Sequence, residues 1–420
     1  MLTWHAPHAW LGGPDLTSDV LIDTSDGVIT GIRTGHESDA DTVFDGVVLP
    51  GLVSAHSHAF HRRLRGRTYG SDFWAWRSPM YAVANSLAPA SYRDLARAVF
   101  GEMLTAGITT VGEFHYVHHQ PDGSPYDEPN AFGFALVDAA SDVGIRMTVI
   151  DTAYLTSDVT GEPVLDEQRR FSDGSIDRWQ ERVRALEGAL AGNDMVRLGV
   201  AAHSVRGVAA QDLATVAETA ADLKVPLHVH AAEQTAEIDA TSAEHGITPV
   251  RLLAETGVLG PQTTIVHGTH LTEDDIGLLA SSGSIVCFCP TTEANLGDGI
   301  GPALELADAG VPLCLGSDSN AVIDILHEAN RLEQHDRLRL RRRGIHEPAA
   351  LLLAATGVGM RSLGWPDGGL TVGMPADFIA IDMASRELVD TETSLGAIVA
   401  AATRASVERA VVAGVTRVGG

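Results

Sequence analysis

The chain has 420 residues, 45% hydrophobic and 20% charged, and its 29 basic side chains against 55 acidic ones give a formal net charge of −26. That profile belongs to a soluble globular protein long enough for a decorated barrel and a small partner domain, and so acidic a surface repels phosphate backbones, excluding nucleic acid and anionic membrane as partners. No run approaches the ~18 apolar residues of a membrane span, residues 1–10 lack the basic and apolar regions of a signal peptide, and three cysteines (Cys287, Cys289, Cys314) suggest no disulfide framework, so a cytoplasmic location is expected.

Residues 1–45 contain short β-rich runs with Gly/Asp turns, at 20–23 and 28–32. Strand-like apolar runs follow at 47–50, 109–113, 146–150, 196–201, 226–229, 263–266, 285–288 and 311–315. Stretches rich in Ala, Leu, Glu and Arg, such as 179–190 and 212–223, separate most of them. Strands alternating with helices predict an α/β chain whose residues 46–369 close into a (β/α)8 TIM barrel. A doubly wound sheet would carry a Gly-rich phosphate turn after its first strand, and none is present. Basic residues 337–343 follow Glu328 and Glu333 in an amphipathic pattern and read as a solvated helix face or a subunit contact. Beyond them, 370–420 is again β-rich, at 378–381 and 409–412, so 1–45 and 370–420 are expected to assemble one small β-sandwich.

The strongest local signal is Leu49-Pro-Gly-Leu-Val-Ser-Ala-His56-Ser-His58. Residues i and i+2 of an extended segment point to one side, so His56 and His58 can share an ion at the mouth of the barrel. Strand five ends in His228-Val-His230-Ala-Ala-Glu233, strand six in Val266-His267-Gly268 and strand eight in Leu315-Gly-Ser-Asp318. Each polar residue closes an apolar run, so all converge on one rim. His56, His58, His230 and Asp318 supply the N3O set that suits a zinc with a position left for water. His228, on the same face as His230 but deeper in the strand, competes with it as a ligand. Glu233 and His267 remain as acid/base groups.

The Pro-Gly-x-x-x-x-His-x-His segment, the His-x-x-Glu, the strand-six His and the strand-eight Ser-Asp resemble the amidohydrolase superfamily, and Gly369-Leu-Thr-Val-Gly-Met-Pro-Ala-Asp377 looks like the motif that returns such chains to their β-sandwich. The resemblance implies one zinc per chain, with Glu233, His267 and Asp318 as catalytic proton-handling groups and a homodimer as the assembly. Binuclear relatives bridge two metals with a modified lysine, or sometimes a glutamate, at the end of strand four; here that strand ends Ala201-Ala-His203-Ser204 and the single lysine, Lys224, lies before strand five. A one-metal site is expected.

Three longer segments resemble the formimidoylglutamate deiminases: His56-Ser-His-Ala-Phe-His-Arg62, Phe73-Trp-Ala-Trp-Arg77-Ser-Pro-Met-Tyr81 and Cys289-Pro-Thr-Thr-Glu-Ala-Asn-Leu-Gly-Asp-Gly299. Gly112-Glu-Phe-His-Tyr116-Val-His-His119 and Ala202-His203-Ser-Val-Arg206 add to them. The resemblance implies that Arg77, Tyr116, His203 and Arg206 bind a small dicarboxylate, which arginine forks recognise bidentately. His61 stands where that family carries glutamine, and contact with substrate is expected of it too. The alternative for Arg77 is packing in an aromatic loop with Tyr69, Phe73, Trp74, Trp76 and Tyr81. His115, His118 and His119 invite a second metal, which their neighbours do not require. The implied reaction is hydrolytic deimination of N-formimidoyl-L-glutamate to N-formyl-L-glutamate and ammonia, in histidine degradation. Deamination of a heteroaromatic base by the same centre is the rival; a non-enzymatic scaffold should have lost ligands that are all retained here.

Overall fold

The computed structural model describes residues 1–67 and 73–419. Among them the strands form two sheets of eight strands each. The first draws on both termini: β1 (Leu2–Ala9), β2 (Thr17–Ser25), β3 (Val28–Thr34), β4 (Thr42–Val43) and β5 (Val47–Pro50) join three late strands. The second is wholly parallel and runs in chain order through β6 (Leu52–Ser57), β7 (Ile108–His115), β8 (Arg146–Ala153), β9 (Val196–Ser204), β10 (Leu227–Ala231), β11 (Thr263–His267), β12 (Ile285–Phe288) and β13 (Leu313–Leu315). β14 (Phe378–Ile381), β15 (Val407–Val412) and β16 (Val415–Val418) return to the first sheet, whose order is β16-β15-β14-β5-β1-β2-β3 with β4 beside β1.

The parallel sheet is a TIM barrel. Its strands are buried and apolar because helices cover them outside and side chains fill the interior. The ring closes between β6 and the end of β13: Asp318 N–H donates to the His56 carbonyl (3.0 Å) and His58 N–H to the Asp318 carbonyl (2.9 Å). Closure of the barrel and convergence of His56, His58 and Asp318 are thus one event.

The terminal sheet curls over its own core, where Trp4 stacks on Phe44 at 5.7 Å and meets Phe378 edge-on at 5.4 Å. Asp377, which ends the Gly369 motif, joins the two units. Its carboxylate accepts from Arg146 Nε in the barrel (2.7 Å) and from Ala413 N–H in the sheet (2.7 Å).

One expected strand is reassigned. The run 47–50 is not the first barrel strand; it pairs with β1 and β14 in the terminal sheet, and β6 opens the barrel. Gly51 lies between them, where a Cβ would fall 2.0 Å from Thr109 Oγ1, so only glycine lets the chain cross from sheet to barrel. Of the basic run, Arg337 and Arg339 pair with Glu333, Glu305 and Asp336 around the end of the helix Ile325–Leu340, and 341–343 are exposed. No helix among the described residues is long and apolar enough to cross a membrane.

Candidate active site

Every strand end singled out above opens on the same rim, at an open cleft of about 590 Å³. His56 and His58 end β6, and their Nε2 atoms stand 3.2 Å apart. His230, from β10, brings its Nε2 to 3.1 Å from that of His56. Asp318 Oδ1 lies 3.6 Å from His56 Nε2 and 3.5 Å from His58 Nε2. Donors held 2.0–2.1 Å from one tetrahedral ion stand roughly 3.3 Å apart, so this spacing fits a zinc-sized ion.

Tautomers make the same point. His58 Nδ1 donates to the Phe114 carbonyl (3.0 Å) and His230 Nδ1 to the His203 carbonyl (2.9 Å). A carbonyl only accepts, so both rings keep their proton on Nδ1 and turn an Nε2 lone pair inward. Burial lowers the pKa of all three rings, that of His56 to about 3, which keeps them neutral. Lone pairs converging at these distances beside a carboxylate repel one another until a cation sits between them. The donor set fits a metal. His228 is not among the clustered donors: its Nε2 meets the Ser362 carbonyl at 2.8 Å.

The turns that aim these groups are held from behind. Glu113 accepts from the Ala59 N–H (2.6 Å) and the Ser57 hydroxyl (2.8 Å), and Asn320 Nδ2 donates to Ser57 Oγ and to the His58 carbonyl, both at 3.0 Å. His267 (φ 73°) and Asp318 (φ 41°) occupy the left-handed region that side chains avoid, as does Ala232 (φ 55°). Such strain persists where surrounding bonds over-determine it, and functional sites collect it.

A buried histidine and two carboxylates flank the donors. His267 Nε2 is 3.7 Å from Glu233 Oε1 and 4.0 Å from Asp318 Oδ2, while its Nδ1 faces Glu293 Oε1 at 3.4 Å. Burial opposes charge on His267, but Glu233, Glu293 and Asp318 overcome it and push the ring up to about 10; a cation among the donors acts the other way. Burial raises Glu233, and the same cause pushes Asp298 up to about 9. Against burial, His56, His58 and His267 hold the Asp318 carboxyl well below the usual carboxylate range.

The residues expected to touch substrate line the same cleft. His61 Nε2 and the Tyr116 hydroxyl are 2.9 Å apart, and His203 Nδ1 meets Ser204 Oγ at 3.0 Å. Arg206 gives its Nε–H to Glu237 (2.8 Å) and brings Nη2 to 3.7 Å from Glu233. Arg77 lies in the helix Phe73–Asn85 rather than a loop, and donates from Nε to the Tyr81 hydroxyl (2.9 Å) while its guanidinium stands 5.5 Å from that ring. The Tyr81 contact agrees with the packing expected of Arg77 and does not test its expected contact with substrate; Tyr69 and the side chains of Phe73 and Trp74 lie outside the described residues. His61, Arg77, Tyr116, His203 and Arg206 all line the one cleft with Glu233, His267 and Asp318.

Sequence reasoning missed several neighbours. Tyr154, at the end of β8, lines the cleft, and Gln168 bridges the Tyr154 and Tyr81 hydroxyls at 2.9 Å each. Glu237 could have been found as an acid four residues beyond Glu233; Gln168, in the short 3-10 helix Asp166–Phe171, left no such signal. Around the histidines expected to need no second ion, His115, His118 and Asp151 lie close enough to share one, while Arg182 pairs with Asp151 and Asp173 and His119 Nε2 bonds Asp173 at 3.0 Å. Lys224 is at the C-cap of the helix Ala210–Leu223, ahead of β10.

A parallel barrel with a His/Asp donor cluster at the C-terminal ends of its strands defines a metal-dependent hydrolase. The amidohydrolase family pattern matches residues 47–417, and the chain belongs to that family. It is 37% identical over 373 residues to the formimidoylglutamate deiminase of Pseudomonas aeruginosa, covering 86% of this chain and 81% of that protein. It is 29% identical over 410 residues to the 5-methylthioadenosine/S-adenosylhomocysteine deaminase of Natronomonas pharaonis, covering 95% and 88%. The crystal structure of an amidohydrolase from Brucella melitensis superposes with a TM-score of 0.92 at 32% identity, covering 100% of this chain and 95% of that one. The protein is an amidohydrolase-type deaminase, an enzyme acting on C–N bonds.

Proposed function

We propose that the enzyme hydrolyses N-formimidoyl-L-glutamate to N-formyl-L-glutamate and ammonia, in the cytoplasm, as a step of histidine degradation and as a homodimer. The observation that carries this reading is the placement of Arg77 and Arg206 in one cleft with the His/Asp donors, in a protein whose net charge is −26. A dianion must overcome that field, and two guanidinium forks with His61, Tyr116 and His203 offer it local partners. Four aromatic rings line the same cleft, which would suit a purine. Yet the hydroxyls of Tyr81 and Tyr116 are engaged with Arg77 and His61, and that of Tyr154 with Gln168, making this wall a polar frame. The deiminase relative supports the same substrate.

His56, His58, His230 and Asp318 would hold one zinc. When bound, the ion lowers the pKa of water and supplies a nucleophile at neutral pH. The protein's own groups then do the rest. Arg206 and Arg77, with His203 and Tyr116, fix the two carboxylates and so hold the formimidoyl carbon over the donors. His267 and Asp318 accept the proton of the attacking water. Glu233, whose pKa burial raises, carries a proton to the departing nitrogen.

Product analysis tests this directly. One ammonia and one N-formyl-L-glutamate per substrate consumed, with about one zinc per chain, are the expected results. Formamide and free glutamate would place the cleavage at the other C–N bond, and two tightly held metals per active chain would remove the mononuclear site.

A further inference from the structure

Glu237 is in the first turn of the helix Thr235–His245, four residues after Glu233, and is only 1% exposed. Its two oxygens serve two different loops of the barrel rim. Oε2 accepts the Arg206 Nε–H at 2.8 Å, from the segment that follows β9. Oε1 accepts the Ala232 N–H at 2.8 Å, from the turn that follows β10. Ala232 has φ 55°, a conformation an alanine adopts only when its surroundings enforce it, and the next residue is Glu233. One carboxylate therefore fixes the guanidinium on one side and the backbone that aims the proton carrier on the other.

We propose that Glu237 is a positioning residue that locks Arg206 and the Ala232–Glu233 turn into one rigid unit, setting the distance between the substrate's carboxylate anchor and the proton-transfer group. The proposal rests on the roles given above to Arg206 and Glu233. Its physical basis is the charge and reach of the side chain. A buried guanidinium requires a buried anion, and Glu237 supplies it through a charge-assisted bond to Nε. A substrate carboxylate must then approach from the Nη end, so Glu237 also selects the direction of approach.

Glu237→Gln keeps the shape but offers one acceptor and one donor, so it satisfies either Arg206 Nε–H or Ala232 N–H and opposes the other. With formimidoylglutamate, the KM of this variant is expected to rise roughly 10- to 100-fold, the range for a lost charge-assisted bond, with zinc content and Tm close to wild type. In an Arg206→Met background the same change is expected to cost less than about two-fold, because the amide oxygen can then accept from the Ala232 N–H with no guanidinium left to oppose the amide NH2. Losses that multiply in the double variant, or a fall in Tm that parallels the loss of activity, would overturn the proposal in favour of a merely structural ion pair. Should Glu237→Gln fail to fold, Glu237→Asp replaces it in the same cycle with the same expectation, since it keeps the charge but is a methylene too short to reach both donors. Crystal structures of the variant and wild type without ligand give a readout independent of substrate: a displaced Arg206 guanidinium supports the proposal, and an unmoved one overturns it. Failure of the wild type to turn over formimidoylglutamate would end the substrate reading alone, and these structures would still decide the role of Glu237.

Discussion

At the scale of single residues, Arg206 carries the sharpest consequence. It is largely buried, with 13% of its side chain exposed beside Glu233 and Glu237, so a substrate carboxylate docked on it would be mostly desolvated. Removing one member of such a pair costs about 2–5 kcal/mol, or roughly 30- to 5,000-fold in kcat/KM. Arg206→Met should show that loss on formimidoylglutamate with zinc content intact, and lose little more on an analogue lacking the matching carboxylate; equal losses on both would make Arg206 a structural residue. His61→Gln should retain substantial activity, because contact with Tyr116 and substrate needs hydrogen bonding that an amide can supply. A fall of several orders of magnitude in its kcat at every pH would make His61 a proton carrier. The rim histidines were legible from position alone, since each closes an apolar run. What separates His228 from His230 is one acceptor, the Ser362 carbonyl, which lies 134 residues away in the chain and engages the His228 Nε2.

At the scale of elements, the barrel was legible from its alternation, and its one misread strand has a physical cause. Residues 47–50 are Val-Val-Leu-Pro, an unbroken apolar run because β5 is buried between β1 and β14. β6 reads as Leu-Val-Ser-Ala-His-Ser: it is equally buried, but its polar residues bond inside the barrel, Ser54 to Ser317 at 2.8 Å and Ser57 to Glu113. Polar residues with buried partners erase the hydropathy signal of a core strand. The same holds for the network that ties β8 to the helix Ile176–Leu190, where Arg182 pairs with Asp151 (2.5 Å) and Asp173 (2.8 Å). Burial alone would raise Asp173, but Arg182 and His119 hold it well below the usual range. A carboxylate depressed in the folded state stabilises the fold above its unfolded pKa of about 3.9 and loses that contribution as pH falls towards the folded value. Asp173→Asn should therefore flatten the fall in urea midpoint between about pH 5 and pH 2, besides lowering stability at pH 7. A variant whose midpoint falls as steeply as that of the wild type would assign the acid sensitivity to other groups.

At the scale of the whole molecule, a net charge of −26 surrounds a cleft proposed to take a dianion. Long-range repulsion slows encounter, and salt screens it over a Debye length of about 8–10 Å. Raising ionic strength should therefore increase kcat/KM for formimidoylglutamate until the Arg77 and Arg206 contacts are themselves screened, and leave that for any neutral substrate unchanged. A monotonic decrease would mean that the local positive potential of the two arginines already dominates the encounter. The chain stands between two kinds of deaminase: its relatives include an enzyme of a linear amidine and one of purine nucleosides. The proposed role of the arginine pair at the cleft favours the first. The most direct test is therefore kcat/KM, by ammonia release, for formimidoylglutamate against 5-methylthioadenosine on the same zinc-assayed preparation. The dicarboxylate is expected to be preferred by at least about two orders of magnitude, the discrimination that a site built to bond a polar group exerts against a molecule lacking it. Equal turnover, or a preference for the nucleoside, would contradict it.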